Sequence, residues 1–440
     1  MAPLKILICG SGIAGPATAF WLTRIGCRVT VIEKATEHRH SGQQIDIRGV
    51  GVTAMRRMGI EAAVRACLVS EQGTLLVDTT GRRRAFFPVL ATGTGDQSIT
   101  SEFEIMRGDL SRIMYDATKD TTIYRHGVTV KSLEQQQQPQ PGNDESGGGV
   151  HVVFSDGVQD TFDLVVGCDG MHSATRKLLL GPDAPDAFHG SGAAIAWATV
   201  PAEPADTNHF TWCLAPGRRV LGSRMDRPDC LRAYFVASIA GLPADHPLRA
   251  TLRGGSPAAQ RRAWADYFRD AGWHSARFAR DIVASPLADD WHACEMGLVK
   301  MDAWSRGRVV LLGDAAWCPS PAGWGTSAAL AGAYVLAGEM ARHCGLGRVG
   351  DEPRREGIAA ALLAYETALR PFVTKIQNAS NTSGNFLPSS RLAISAIELV
   401  VSWVRTLRLD RILARLAIGG GIGWELPEYP ELGTAEAEEM

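Results

Sequence analysis

The chain has 440 residues, 45% of them hydrophobic, enough to bury a substantial core and to form two or three domains. Its 45 Lys plus Arg against 47 Asp plus Glu leave a formal charge of -2, which excludes an overall cationic field for nucleic acid and leaves a small molecule as the expected partner. The nine cysteines include no CxxC pair and no Cys/His set at zinc-site spacing, so neither a metal site nor a full disulfide framework is expected, and reduced thiols fit a cytoplasmic setting.

The opening MAPLKILICG runs straight into an apolar strand at residues 4 to 9 and lacks the longer regions of a secretory signal, so it reads as the beginning of the fold. A helix follows from about Ile13 to Ile25, Gly26 ends it, and CRVTVIEK supplies a second strand ending at Glu33. This is a βαβ unit. Helical segments are expected near Val52 to Met58 and Arg107 to Thr118. YRHGVTVKSLE and VHVVFSDGVQDTFDLVVGCDG read as strands of a second sheet layer, joined by the Gln/Pro/Gly/Ser-rich insert EQQQQPQPGNDESGGG as a solvated hairpin tip.

Residues 193 to 240 alternate apolar runs with turn residues, predicting a separate, mainly antiparallel sheet. Pro257 to Phe278 is helical in pattern, and RVVLLGD at 308 to 314 returns to a buried strand. The expected fold is α/β: a Rossmann-like nucleotide-binding domain in two parts, 1-180 and 291-375, an inserted sheet domain at 181-290, and a helical region at 376-440. Leu392 to Val404 is apolar apart from Ser395, Glu398 and Ser402, well short of the roughly 20 residues of a spanning helix. It is expected as a packed or amphipathic helix with an interfacial role open, and the acidic stretch from Glu425 to Met440 as a disordered tail.

Three motifs carry the chemistry. Gly10-Ser11-Gly12-Ile13-Ala14-Gly15 matches GxGxxG between strand and helix: Gly10 for the tight turn, Gly12 for backbone approach to a pyrophosphate, Gly15 for close packing. Glu33 stands where an acid accepts hydrogen bonds from an adenosine ribose. These features fit FAD and NAD equally. DLVVGCDGMHSATR then places Asp169 after a buried strand, and Gly313-Asp314 ends another, ahead of a Gly/Pro loop and an Ala-rich helix. Either acid alone reads as a helix cap; together they suit a long cofactor touched at several points, which selects FAD.

In order and spacing, GSGIAG with Glu33, GCDGMHSATR and GDAAWCPSPAGWGTS resemble the three fingerprints of class A flavoprotein monooxygenases of the para-hydroxybenzoate hydroxylase fold, with tetracycline-degrading and polyketide-tailoring members nearest. The resemblance covers about residues 1 to 375. It implies that Asp314 bonds the FAD ribityl chain, that Gly323, Trp324, Gly325 and Thr326 pass close to the flavin, and that Arg107 contacts the cofactor. It further implies Asp46 at the isoalloxazine edge, Lys34 beside Glu33 among the cofactor contacts, and Arg39 on NADPH. Trp317 stands where the family often has histidine, Cys168 where alanine is usual, and the loop before Gly323 is one residue shorter, which bears on the loop contacts more than on Asp314.

The implied activity is oxygenation of an aromatic, polycyclic or polyketide-like metabolite in secondary metabolism, with NADPH or NADH as transient reductant, O2 as co-substrate, non-covalent FAD and a flavin C4a-(hydro)peroxide. Hydroxylation, epoxidation and Baeyer-Villiger oxidation stay open, and no catalytic acid or base is assigned. Arg224 and Tyr234, on strands of the inserted sheet, are candidates to face substrate. The competing readings are a flavin-dependent dehydrogenase or reductase on the same fold and a non-catalytic flavin-binding interaction protein.

Overall fold

Four buried runs, KILIC, RVTVIE, LVVG and VVL, pair side by side as parallel strands because each is apolar on both faces. The computed structural model describes residues 2–38, 42–89, 102–135, 148–319, 323–347, 353–379, 387–406 and 423–433. Across its six-stranded sheet the order is Ser305–Arg306, Val309–Leu311, Leu164–Gly167, Lys5–Cys9, Arg28–Glu33 and Ile123–His126. The register aligns Cys9 with Ile32 on one side and Gly167 on the other, and Gly167 with Leu311. Segments separated by about 150 residues of chain therefore end in one row.

The second sheet has seven strands, ordered His292–Val299, Phe188–Pro201, Cys230–Ser238, Arg219–Arg227, Phe210–Ala215, Gly73–Val77 and Arg83–Pro88. All neighbours are antiparallel except Phe210–Ala215 with Gly73–Val77. It thus draws two strands from the first part of the chain and one beyond residue 290, so the sheet is wider than the 181-290 segment. Ile123–His126 and Leu164–Gly167 also differ from the expected second layer: both join the parallel sheet. Their pairing follows from burial on both sides for Leu164–Gly167 and from the free edge of Arg28–Glu33 for Ile123–His126.

Alternation gives the seven-stranded sheet two faces. Ala194, Ala196, Leu221, Ala233 and Phe235 point to one, where helices Pro257–Phe268 and Ser275–Ala284 cover them. These helices break at Gly272 (φ 89) and Trp273 (φ 46), so Pro257 to Phe278 is not one continuous helix. Val220, Val236, Ile195, Trp212, Leu214 and Met296 point to the other face, with Leu387 packed on them. A short two-stranded pair, Gln44–Asp46 with Glu104–Met106, lies between the nucleotide domain and this face.

After residue 358 the described chain is helical, at Ile358–Ala379 and Arg391–Thr406. No described helix is long and apolar enough to cross a membrane. The insert's residues 136 to 147 and the last seven residues of the chain lie outside the described residues, though Gln135 and Val150 flank the insert as paired strand residues.

The expectation of a disordered tail from Glu425 is corrected at its first half. Leu426, Tyr429 and Leu432 are buried in the nucleotide-domain core. Tyr429 fills the groove left by Gly338, where any Cβ would strike its ring, and its hydroxyl donates to Glu339 at 2.6 Å. Arg342 lies over the same ring at 4.3 Å. Composition concealed this because one aromatic and two aliphatic anchors suffice to hold a polar segment. Tyr429→Ala is expected to destabilise the fold by about 3–5 kcal/mol, the range for a large buried aromatic, read as a lowered denaturation midpoint; an unchanged midpoint would mean the tail is only laid on the surface.

Candidate functional site

The parallel strand ends deliver the three motifs to one cleft. Gly10 follows Cys9, Cys168 follows Gly167, and Gly313 lies two residues beyond Leu311, so their loops meet at the carboxyl edge where the chain order switches direction. Gly10 adopts φ 108, and a Cβ there would lie 2.5 Å from the Cys168 carbonyl oxygen. At Gly15 a Cβ would overlap the Gly10 carbonyl, so the helix Ala14–Arg24 begins against its own loop. Gly12 leaves bare backbone beneath Arg107, whose guanidinium would stand 3.6 Å from a Cβ at that position.

Two helices begin here without a side-chain cap: Ala14–Arg24 and the 20-residue Gly325–Cys344. Their first amides have no intrahelical partner, so each helix presents donors and positive potential to the cleft. Asp314 is exposed along the cleft wall although protein crowds around it. That crowding raises its carboxyl above the ordinary value, with Arg107 pulling it back and Cys318 adding a smaller lowering. Arg107 thereby couples the first motif to the third.

Glu33 accepts hydrogen bonds from the Ser11 amide and the Ala35 amide, both at 3.0 Å, which fixes it at the loop. Lys34 is exposed beside it, within electrostatic reach of His172. Asp169 turns inward: its carboxylate accepts from the Ser173 hydroxyl and from the Thr175 amide at 2.9 Å, capping the following helix. Arg176, fully buried, donates to the Ala315 carbonyl at 3.0 Å and to the Met171 carbonyl at 2.8 Å, tying the second motif to the third. Arg39 lies outside the described residues.

The flavin-loop residues meet the bridging strands. A side chain at Gly323, which holds φ 72, would collide with Asp46 and Arg48. Arg48 donates to Asp46 from Nε at 3.0 Å, and its amide donates to Ser327 Oγ at 2.8 Å. Trp324 packs near Gly49 and edge-on to Phe372, while Gly325 approaches Asp314. Gly323, Trp324, Gly325, Thr326, Asp46 and Asp314 are thus one neighbourhood. Sequence reading missed Arg48 and Ser327, which join the helix start to the strand; Arg48 two residues after Asp46 was the available hint. Trp317, in place of histidine, is core: it packs on Trp304 at 4.6 Å and on Tyr365 at 6.1 Å.

The sheet face that carries Trp212 and Val236 forms the opposite wall. Cys294 on the edge strand is pushed up to about 12 by burial and then by Asp314, which places that strand within the acid's electrostatic reach. Phe210 and Trp212 have ring centroids 4.4 Å apart, and Tyr234 stands 6.1 Å from Phe210. Burial raises the Tyr234 phenol above its ordinary value, opposed by Arg224 and then Arg232. Arg224 is corrected as a substrate-facing cation. It is buried, bonded to Glu71 at 3.0 and 2.7 Å and to Glu104, and it lies over the Phe210 ring. Two carboxylates neutralise its charge and take its Nε and Nη2 donors, so it clamps the sheet to the bridge.

The cleft suits FAD on observations of this chain: a loop that leaves backbone bare at Gly12, two uncapped helix starts, and an acid open to the cleft between them. The family model described as "FAD binding domain" matches residues 3–375. The chain belongs to this FAD-binding family and is a class A flavoprotein monooxygenase, an oxidoreductase using FAD. It is 37% identical to an FAD-dependent monooxygenase of Sarocladium schorii over 98% of this chain and 99% of that one. It is 40% identical to a flavin-dependent monooxygenase of a Phoma species, covering 92% of each. Among solved structures, tetracycline destructase Tet(55) matches with TM-score 0.72 and 28% identity over 97% of this chain and 99% of that one.

Proposed function

We propose that the chain is an NAD(P)H-dependent monooxygenase that inserts one atom of O2 into an aromatic or polycyclic metabolite in a secondary pathway. The convergence of three motifs at one sheet edge, facing an aromatic sheet wall, carries this reading.

In this reading Gly10, Gly12, Gly15, Glu33, Lys34 and Asp169 hold the adenosine and pyrophosphate end. Arg107 spans the middle, and Asp314 with Gly323, Trp324, Gly325 and Thr326 holds the flavin end, with Asp46 at the ring edge. Arg39 is assigned to the nicotinamide reductant, and Tyr234 to substrate. Bound FAD supplies electron storage and dioxygen activation. The protein would orient the substrate and exclude water, and the uncapped start of Gly325–Cys344 would offer positive potential to negative charge on a bound flavin. Trp212, half-buried beside Phe210, offers apolar ring surface to a planar substrate. The shared ancestry with monooxygenases of high coverage supports oxygen insertion over simple dehydrogenation.

The test follows NADPH oxidation, oxygen uptake and product mass together across phenolic and polyketide substrates with the FAD-loaded protein. The expected result is substrate-dependent uptake of oxygen matched by NADPH loss. Product formation that persists without oxygen would instead establish a dehydrogenase or reductase.

A further inference from the structure

In an antiparallel pair, directly opposed residues share a face, as do alternate residues along each strand. Gln44, Asp46, Glu104 and Met106 therefore lie on one face of the bridging pair, since Gln44 opposes Met106 and Asp46 opposes Glu104. Glu104 reaches Arg224 of the seven-stranded sheet, whereas Ile45 and Ile105 on the other face join the nucleotide-domain core. Gln44 thus faces the sheet wall, with Asp46 and the Gly323 loop beside it.

Gln44 is 6% exposed, yet neither its amide oxygen nor its amide nitrogen has a hydrogen-bond partner among the described residues. Tyr234, at 4%, brings its hydroxyl oxygen to the Gln44 backbone amide, while the hydroxyl proton has no acceptor among the described residues. An unpaired buried polar atom costs about 1–3 kcal/mol, and native proteins complete such atoms with an ordered water, an ion or a ligand. Three gather here, at the seam between the flavin loop and the aromatic wall.

We infer that Gln44 is a specificity-determining residue that reads an adjacent donor and acceptor on the rim of a planar substrate, with the Tyr234 hydroxyl supplying a further bond. The inference rests on the aromatic-substrate reading above. A carboxamide presents a donor and an acceptor side by side, so its complement is a lactam, whose N–H and carbonyl point outward together. A ring with one isolated hydroxyl leaves half of the amide unpaired. Trp212, on the same sheet face as Tyr234, supplies the surface on which such a ring lies, while Phe210 carries Arg224.

The test is a titration of the FAD-loaded protein, followed by flavin absorbance, with carbostyril as the adjacent-pair probe. Quinoline lacks the pair, and methyl para-hydroxybenzoate carries its hydroxyl and carbonyl apart. The wild-type protein is expected to bind carbostyril about tenfold tighter than either control, the worth of one to two hydrogen bonds. Gln44→Leu should abolish that preference while leaving FAD content and the controls' affinity unchanged, and Gln44→Asn should restore part of it. Tyr234→Phe, which removes only the hydroxyl, should weaken carbostyril binding and leave the controls unmoved; this variant also serves if Gln44→Leu does not fold.

A wild-type protein that binds none of these probes or shows no preference, or a Gln44→Leu variant that keeps the preference, overturns the inference. So does a Tyr234→Phe variant that binds like wild type where Gln44→Leu cannot be prepared. The titration needs no turnover. Gln44-dependent preference without oxygen uptake would retain this inference while the monooxygenase reading failed, and oxygenation without preference would do the reverse.

Discussion

Asp314→Ala is expected to purify as a folded protein that has lost most of its FAD. Removing one charge-assisted hydrogen bond to the cofactor weakens binding by about 1.5–3 kcal/mol, roughly 10- to 150-fold. The fold should survive because Asp314 is exposed on the cleft wall and its surroundings already disfavour its charge, so deleting the carboxylate removes an unfavourable group from the empty protein. Asp314→Asn, which keeps an acceptor oxygen, should retain more flavin than alanine. Flavin content after gel filtration, beside a thermal melt of the stripped protein, checks both halves. Wild-type flavin content in the alanine variant would remove Asp314 from the cofactor site.

The second large effect is expected at Arg224. Arg224→Ala leaves Glu71 and Glu104 buried without their shared cation, a loss of about 3–5 kcal/mol. Glu71 is already raised in the intact protein, by burial first, with Arg224 holding it down. A carboxyl raised on folding contributes stability fully below its unfolded value, and that contribution is lost as pH climbs through the folded value. Without Arg224 the folded value moves further up. The variant should therefore be most destabilised near neutrality and partly recover on acidification toward the unfolded glutamate value of about 4.3. Melts of wild type, Arg224→Ala and Arg224→Met at pH 7 and at mildly acidic pH decide this. An equal loss at both pH values would mean that the guanidinium matters through packing alone.

Much of the nucleotide domain was legible because its local and long-range demands agree. KILIC and RVTVIE are too apolar for anything but buried parallel strands, and the glycines after Cys9 have local steric reasons that any sequence reader can state. The meeting of Asp169 and Asp314 with that loop was anticipated only through their common place at strand ends, which the sheet order then satisfies. Pairing partners were not legible. Gly73–Val77 and Arg83–Pro88 carry no mark that sends them to the distant sheet, and Arg224 reads as a free cation until Glu71 and Glu104 arrive from about 150 and 120 residues away. The tail misled for a similar reason: Tyr429 needs the small surface at Gly338, and no local pattern announces that fit.

Asp169 shows how one residue serves both readings. The helix-cap alternative describes its contacts with Ser173 and Thr175, and the same contacts hold the loop at the edge of the cleft. Gln44 lay inside a motif chosen for Asp46. Its interest emerges only from strand register, which puts its amide opposite the aromatic wall.

The most direct measurement supplies isotope-labelled dioxygen to the FAD-loaded protein with NADPH and a turned-over substrate, and reads the product by mass. The expected product carries one labelled oxygen atom, with the second released in water. A product oxidised without label, or carrying oxygen drawn from the solvent, would contradict oxygen insertion from O2.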